Sequence, residues 1–225
     1  MGRLNRVSLP DQLYEDLKRR IISLELPLGS RLNASELQKY YAVSSTPVRE
    51  ALNRLTRDGL IAYTNNIGAH VIFLTKRDVI EISEVGFALR AEALRLAMRH
   101  GLAGKLADVM QRYLELYQQE SDEEKLRQYI LKIVRLFFDN AGNSRLVDTI
   151  IGLAPQLDLL QNLFIKALQE QRIDFAEKIQ DHKRLCQFIR EENMEAAVRE
   201  LETLCYHGAE LAQQGLDLLL AENKG

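Results

Sequence analysis

Between Ser44 and Phe73 the chain changes its hydrophobic period once, at Gly59, and that switch restricts the folds open to it. Before it, Val48, Ala51, Leu52 and Leu55 recur at i, i+3, i+4 and i+7, the buried stripe of a helix over 44–58. After it, Leu60-Ile61-Ala62-Tyr63 and Ala69-His70-Val71-Ile72-Phe73 flank the segment Thr64-Asn65-Asn66-Ile67-Gly68. Two short strands about an Asn- and Gly-containing turn make a hairpin. Upstream, Leu13, Tyr14, Leu17, Ile21 and Leu24 predict an amphipathic helix over 10–25, stopped by the turn Leu26-Pro27-Leu28-Gly29-Ser30. Asn33 with Glu36 has the form of a capping box for a short second helix ending near Tyr40. Three helices and then a hairpin, in that order, predict a winged helix-turn-helix over 1–74.

The third helix carries the chemistry. Ser44 can cap it, and Pro47 is tolerated in its first turn, where backbone N–H groups have no intrahelical partner. Its polar face presents Ser45, Thr46, Arg49, Asn53 and Arg57. Hydroxyls at the helix start and an arginine one turn later suit base edges and phosphates in a major groove. The bland alternative, a small helical domain with a merely solvated face, does not account for the ordered turn and hairpin.

Charge fits that division. The net charge of −2 argues against nucleic acid only until the chain is cut at residue 74. Residues 1–74 hold ten Lys and Arg against seven Asp and Glu, and the remainder twenty against twenty-five. A mildly basic front on an acidic body suits a DNA-binding module carried by another domain. No apolar run approaches the ~18 residues of a membrane span, and the first residues lack the apolar core of a secretory signal. Cys186 and Cys205 do not suggest a disulfide framework, so the expected location is the cytoplasm.

From Thr75 onward every segment has helical period, with helices expected over 76–100, 103–119, 122–140, 144–169 (bent at Pro155), 174–191 and 194–221. Thr75 with Asp78, Ser121 with Glu124 and Asp174 with Glu177 have the form of helix starts. The fold class is therefore mainly α: a winged helix-turn-helix followed by an all-α antiparallel bundle over 75–225. Enzyme readings find little support. The residues three before His70, His100, His182 and His207 are Ile67, Ala97, Ile179 and Leu204, so no Glu-x-x-His metal turn exists. No nucleophile elbow, phosphate loop or dinucleotide fingerprint is present either.

The front of the chain resembles the N-terminal domain of GntR-family regulators. The resemblance rests on Val43, Ser44, Thr46, Pro47, Val48, Arg49, Glu50, Ala51 and Leu52, on Gly29, Arg31 and Leu32, and on the wing pair Gly68-Ala69. The helical remainder is similar to the FCD type of effector domain through its helix lengths and the turn Ala141-Gly142-Asn143. The resemblance implies DNA contacts by Arg31, Ser44, Ser45, Thr46, Arg49, Asn53, Asn66, Gly68 and His70. Two family cations are missing: Ser45 stands where arginine is usual after the first serine, and Ile67 where the wing usually has arginine. Arg31, Lys39, Arg49, Arg54 and His70 are candidate compensators.

The FCD family commonly holds a metal with one Asp and three His. Carried over, those positions fall on Ile130, Val134, His182 and Leu204, so three of four ligands are aliphatic and the family's metal site is lost. No cofactor is expected. His182 is then a packed residue without special role, a polar contact to an effector, or part of a rearranged metal site with Cys186, Cys205 or His207. Arg90 and Arg135 read as surface ion-pair partners. The pocket has either closed, leaving a dimerisation domain, or holds an apolar ligand with His182 at its polar end. The expected protein is a homodimeric repressor of a double-stranded DNA operator, modulated by a small-molecule effector in the pocket of Ile130, Val134, His182 and Leu204. The alternative is a dimeric winged-helix adaptor with a closed, ligand-free bundle.

Overall fold

In the computed structural model, residues 8–65, 68–119, 123–171 and 175–222 are described. Helix α1 (Leu9–Ile22) starts at Ser8, whose hydroxyl accepts the Asp11 N–H, with proline in the first turn. It stops three residues earlier than its apolar pattern suggests. Leu24 adopts a left-handed φ of 62°, and the Leu26 N–H closes the end by donating to the Arg20 carbonyl at 2.9 Å. Helix α2 (Ala34–Tyr41) is capped by Asn33, whose side chain accepts from Ser35 N–H. Glu36 accepts from the Asn33 amide rather than from its backbone, so the reciprocal box does not form. Helix α3 (Ser45–Arg57) buries Val48, Ala51, Leu52 and Leu55, the expected stripe.

Strands β1 (Ile61–Thr64) and β2 (Gly68–Val71) form the antiparallel wing, with Ile61 opposite Val71 and Tyr63 opposite Ala69. The hairpin has a third rail. Leu32 N–H donates to Ala69 O at 2.8 Å and Val71 N–H to Ser30 O at 2.9 Å, so residues 30–32 line the free edge of β2. That bridge sets Arg31 beside His70 and brings the start of α2 against the wing.

The body is helical: α4 (Lys76–Arg99), α5 (Ala103–Gln119), α6 (Glu123–Asn140), α7 (Ser144–Gln171), α8 (Phe175–Arg190) and α9 (Met194–Glu222). Thr75 and Asp78 make a full capping box at the start of α4. The helix starts read at Ser121 and Asp174 lie outside the described residues. The chain is thus mainly α, with a winged helix-turn-helix ahead of a helical bundle.

Among the described residues two large hydrophobic cores form. One lies inside the bundle around Leu94, Leu106, Met110, Phe137, Leu185 and Ile189. The other is built on Leu17, Ile21, Leu52 and Leu55, and it also takes in Val79 of α4, Leu159 and Leu163 of α7, and Leu216 and Leu219 of α9. The winged domain is therefore seated on the bundle through shared apolar burial. Helices α7 and α9 cross closely there: a Cβ on Gly215 would lie 1.9 Å from the Leu163 carbonyl oxygen.

Candidate nucleic-acid interface

Alternation along β1 turns Ile61 and Tyr63 to one face. Ile61 is buried under α3, while Tyr63, one strand step further, is 55% exposed. The edge pairing of residues 30–32 turns Leu32 inward and leaves Arg31 exposed. Helix α3 presents Ser45, Arg49 and Asn53, two turns of one face. These three elements enclose a groove of about 580 Å³. Its floor is Leu32, Leu52 and Ala69, and its rim holds Arg31, Asn33, Gln38, Ser45, Arg49, Asn53 and Tyr63.

The groove's electrostatics are one-sided. Its lining includes two arginines and no carboxylate, and neither Arg31 nor Arg49 forms an ion pair with a described residue. The exposed Ser44 occupies the N-cap of α3 but makes no side-chain capping bond, contrary to expectation. The first-turn N–H groups thus keep the positive end of the helix dipole available to an anion. Thr46 is exposed in the same turn.

Five expected contact residues, Arg31, Ser45, Arg49, Asn53 and Gly68, therefore share one concave surface. Asn66 lies outside the described residues. His70 is corrected: it is only 4% exposed, its Nδ1 lies 3.1 Å from Gly68 O, and the Phe73 ring covers it at 5.6 Å. It is a wing-core residue. Arg54 is likewise no spare cation, since it pairs with Asp11 at 2.6 Å and stacks over the Tyr14 ring at 3.8 Å. Lys39 remains exposed on α2. Asn33, Gln38 and Tyr63 were missed; the alternation of β1 from buried Ile61 would have pointed to Tyr63.

Comparison with known proteins agrees with this geometry. The pattern described as "Bacterial regulatory proteins, gntR family" matches residues 9–71, and that of the FCD domain matches residues 81–205, more than half the chain. The chain belongs to the GntR family. It is a DNA-binding transcriptional regulator of the FCD branch rather than an enzyme. It is 28% identical over 205 residues to the HTH-type transcriptional regulator YdhC of Bacillus subtilis, covering 88% of both chains. It is 34% identical to the Nta operon transcriptional regulator of Aminobacter aminovorans, covering 69% of this chain and 67% of that one. A GntR-family transcriptional regulator from Pseudomonas syringae superposes with a TM-score of 0.58 at 25% identity, over 96% of this chain and 89% of that one.

In this GntR regulator the residues carried over from the FCD metal site lie on α6, α8 and α9. Val134 and Leu204 are partly buried against the bundle core. His182 is half-buried on α8, and the side chain of Ile130 lies outside the described ones. The rearranged metal set does not assemble. Cys186 turns toward α5, its thiol 3.4 Å from the Ala107 carbonyl oxygen, and burial pushes that thiol's pKa up. Cys205 faces α4, 3.6 Å from Arg90 Nη1, and His207 is exposed beside Tyr206. Among the described residues no three His, Cys, Asp or Glu side chains converge. Arg135 is the exposed ion-pair partner expected, with Asp139 at 3.6 Å. Arg90 is not: it points inward to Cys205, and its Nε is buried without a hydrogen-bond partner. No helix among the described residues is long and apolar enough to cross a membrane.

Proposed function

We propose that this regulator binds its operator through the groove between α3 and the wing, as a homodimer acting as a repressor. The observation that carries the reading is the gathering of Arg31, Ser45, Arg49 and Asn53 on one carboxylate-free surface. Arg49 reads a base edge, Asn53 and Ser45 add uncharged donors, and Arg31 with the first turn of α3 holds phosphate. With few cations in the groove, the salt slope is shallow for the affinity. One recognition helix spans only a few base pairs, so a two-fold dimer supplies a usable site. Occupying the operator is sufficient for repression.

The bundle is the effector domain of this reading. The apolar packing of Val134 and Leu204 favours an effector with an acyl or aromatic body over a metal-chelating dicarboxylate. The test is fluorescence anisotropy with a duplex enriched from a random pool, repeated across salt concentrations. Binding indifferent to sequence and salt overturns the DNA reading. A thermal-shift screen tests the effector: stabilisation by dicarboxylates alone, with no response to acyl or aromatic compounds, overturns the apolar pocket.

A further inference from the structure

The last carbonyls of a helix have no intrahelical donors, and where they are buried something must supply them. In the winged domain two of these acceptors are met by α7, a helix of the bundle. The Gln156 amide donates to the carbonyl of Asp58, the C-cap residue of α3, at 3.2 Å. The Asn162 amide donates to the carbonyl of Ile22, the last residue of α1, at 2.8 Å. Room for the first bond comes from Gly59. Its φ is +67°, and a Cβ there would lie 2.0 Å from Gln156 Nε2. The two amides stand six residues apart, about 9 Å along the helix. Leu159, Leu160 and Leu163 of the same stretch belong to the core formed with Leu17 and Ile21.

The other half of α7 belongs to the bundle. Leu146, Val147 and Ile150 pack against the bundle core. Pro155 stands between the halves. Lacking an N–H, it leaves the Ile151 carbonyl without its i+4 donor, yet the helix runs on through it to Gln171. One continuous element thus joins the interior of the effector domain to the C-terminal end of the recognition helix.

We infer that Gln156 and Asn162 are positioning residues for DNA recognition, through which α7 fixes the pose of α3 and α1 on the bundle. The inference rests on the DNA-binding reading above. Neither residue lines the α3–wing groove; both act through the helices that carry it. In a dimer a fixed pose on each protomer fixes the distance and rotation between recognition helices. Half-site spacing is then enforced by α7.

The experiment uses the full chain and a duplex it enriches from a random pool, with a second duplex carrying one extra central base pair. The wild type is expected to bind the lengthened duplex at least tenfold more weakly. The double variant Gln156→Ala, Asn162→Ala is expected to discriminate less than threefold while remaining dimeric by light scattering. Gln156→Glu, which keeps the side chain's size and puts an acceptor against the Asp58 carbonyl, relaxes discrimination in the same direction and serves if the double variant unfolds. A merely structural role would lower the thermal midpoint and leave the ratio unchanged. Variants that discriminate as the wild type does overturn the inference, as does a wild type indifferent to the insertion. A wild type that enriches no duplex overturns the DNA-binding reading itself.

Discussion

The two cores of this regulator are bordered by different kinds of interaction. Around the winged core the helices are tied by directional bonds: Tyr14 donates to Asp58, Arg54 pairs with Asp11, and Tyr41 donates to Asp16 at 2.5 Å. Around the bundle core the described ties between helices include ion pairs, the exposed Arg190 with Asp108 at 2.8 Å and Arg184 at 2.9 Å from Glu200, whose side chain is 13% exposed. Exposed pairs such as the first contribute little, and the larger share of the bundle's stability comes from its apolar core. A reading head gains from fixed angles between helices, whereas the effector domain proposed above gains from walls that can repack. The sharpest way to break this contrast is to empty each core in turn. Leu163→Ala, in a bundle helix yet buried in the winged core, should cost about 2–5 kcal/mol and weaken DNA binding. Phe137→Ala in the bundle core should cost about 3–5 kcal/mol and change DNA affinity less. Calorimetry and DNA titration of both variants decide the matter; equal losses of affinity would erase the distinction between the cores.

Next in size is Arg49→Ala, which leaves both cores intact. If Arg49 contacts guanine with both nitrogens, the loss is about 1–3 kcal/mol and preference at that base relaxes. If it touches phosphate alone, affinity falls evenly across sequences and the salt slope drops by about one. An anisotropy titration showing unchanged affinity would remove this face as the reader.

How much of this was legible in the sequence also differs between the regions. The order of α1 to β2 and the buried stripe of α3 follow from local periodicity, and so does the polar face with Ser45, Arg49 and Asn53. The fate of His70 and Arg54 does not. Their polarity suggests exposure, but Phe73 folds over one and Asp11 claims the other through contacts that depend on the packed fold. Gln156 and Asn162 were invisible for the same reason, their acceptors lying 98 and 140 residues away. In the bundle the helices were readable and the relation between them was not. Cys186 and Cys205 belong to neighbouring helices but face α5 and α4 respectively.

The directional bonds of the winged domain give it a pH signature. Asp11 is held below the usual carboxylate range by the Ser8 hydroxyl and then by Arg54. Burial alone would raise Asp16, but its bonds from Tyr41 and Arg19 outweigh that and lower it. Both carboxylates are lower in the folded than the unfolded chain, so their stabilisation is present above about pH 4 and is lost as pH falls further. Tyr41 moves the other way, pushed up to about 12 by burial and by its bond to Asp16. Its stabilisation is present below about pH 10 and fades as pH rises toward 12. Denaturant midpoints across pH should fall at both ends, and Tyr41→Phe should flatten the alkaline limb. An alkaline limb identical in that variant would show that the bond adds nothing.

The smallest expected effect tests whether backbone strain costs the two domains alike. Ala42 turns the chain between α2 and α3 with φ 52° and ψ 45°, a left-handed conformation. Glu192 does the same between α8 and α9 with φ 56°. A side chain with a Cβ costs roughly 1–2 kcal/mol in that region. Glycine removes this cost but gives the unfolded chain more freedom, worth about 0.4–1 kcal/mol. The difference leaves a net gain of about 0–1.6 kcal/mol, centred near 0.8 kcal/mol, at each site. Both positions are exposed, so no packing is lost on substitution. Ala42→Gly and Glu192→Gly should therefore each raise the denaturation midpoint slightly, and neither should alter DNA affinity. A gain at Glu192 with a loss at Ala42 would mean that the helix-turn-helix corner gains more from a stiff turn than it loses to strain, and would extend the contrast between the domains to their backbones.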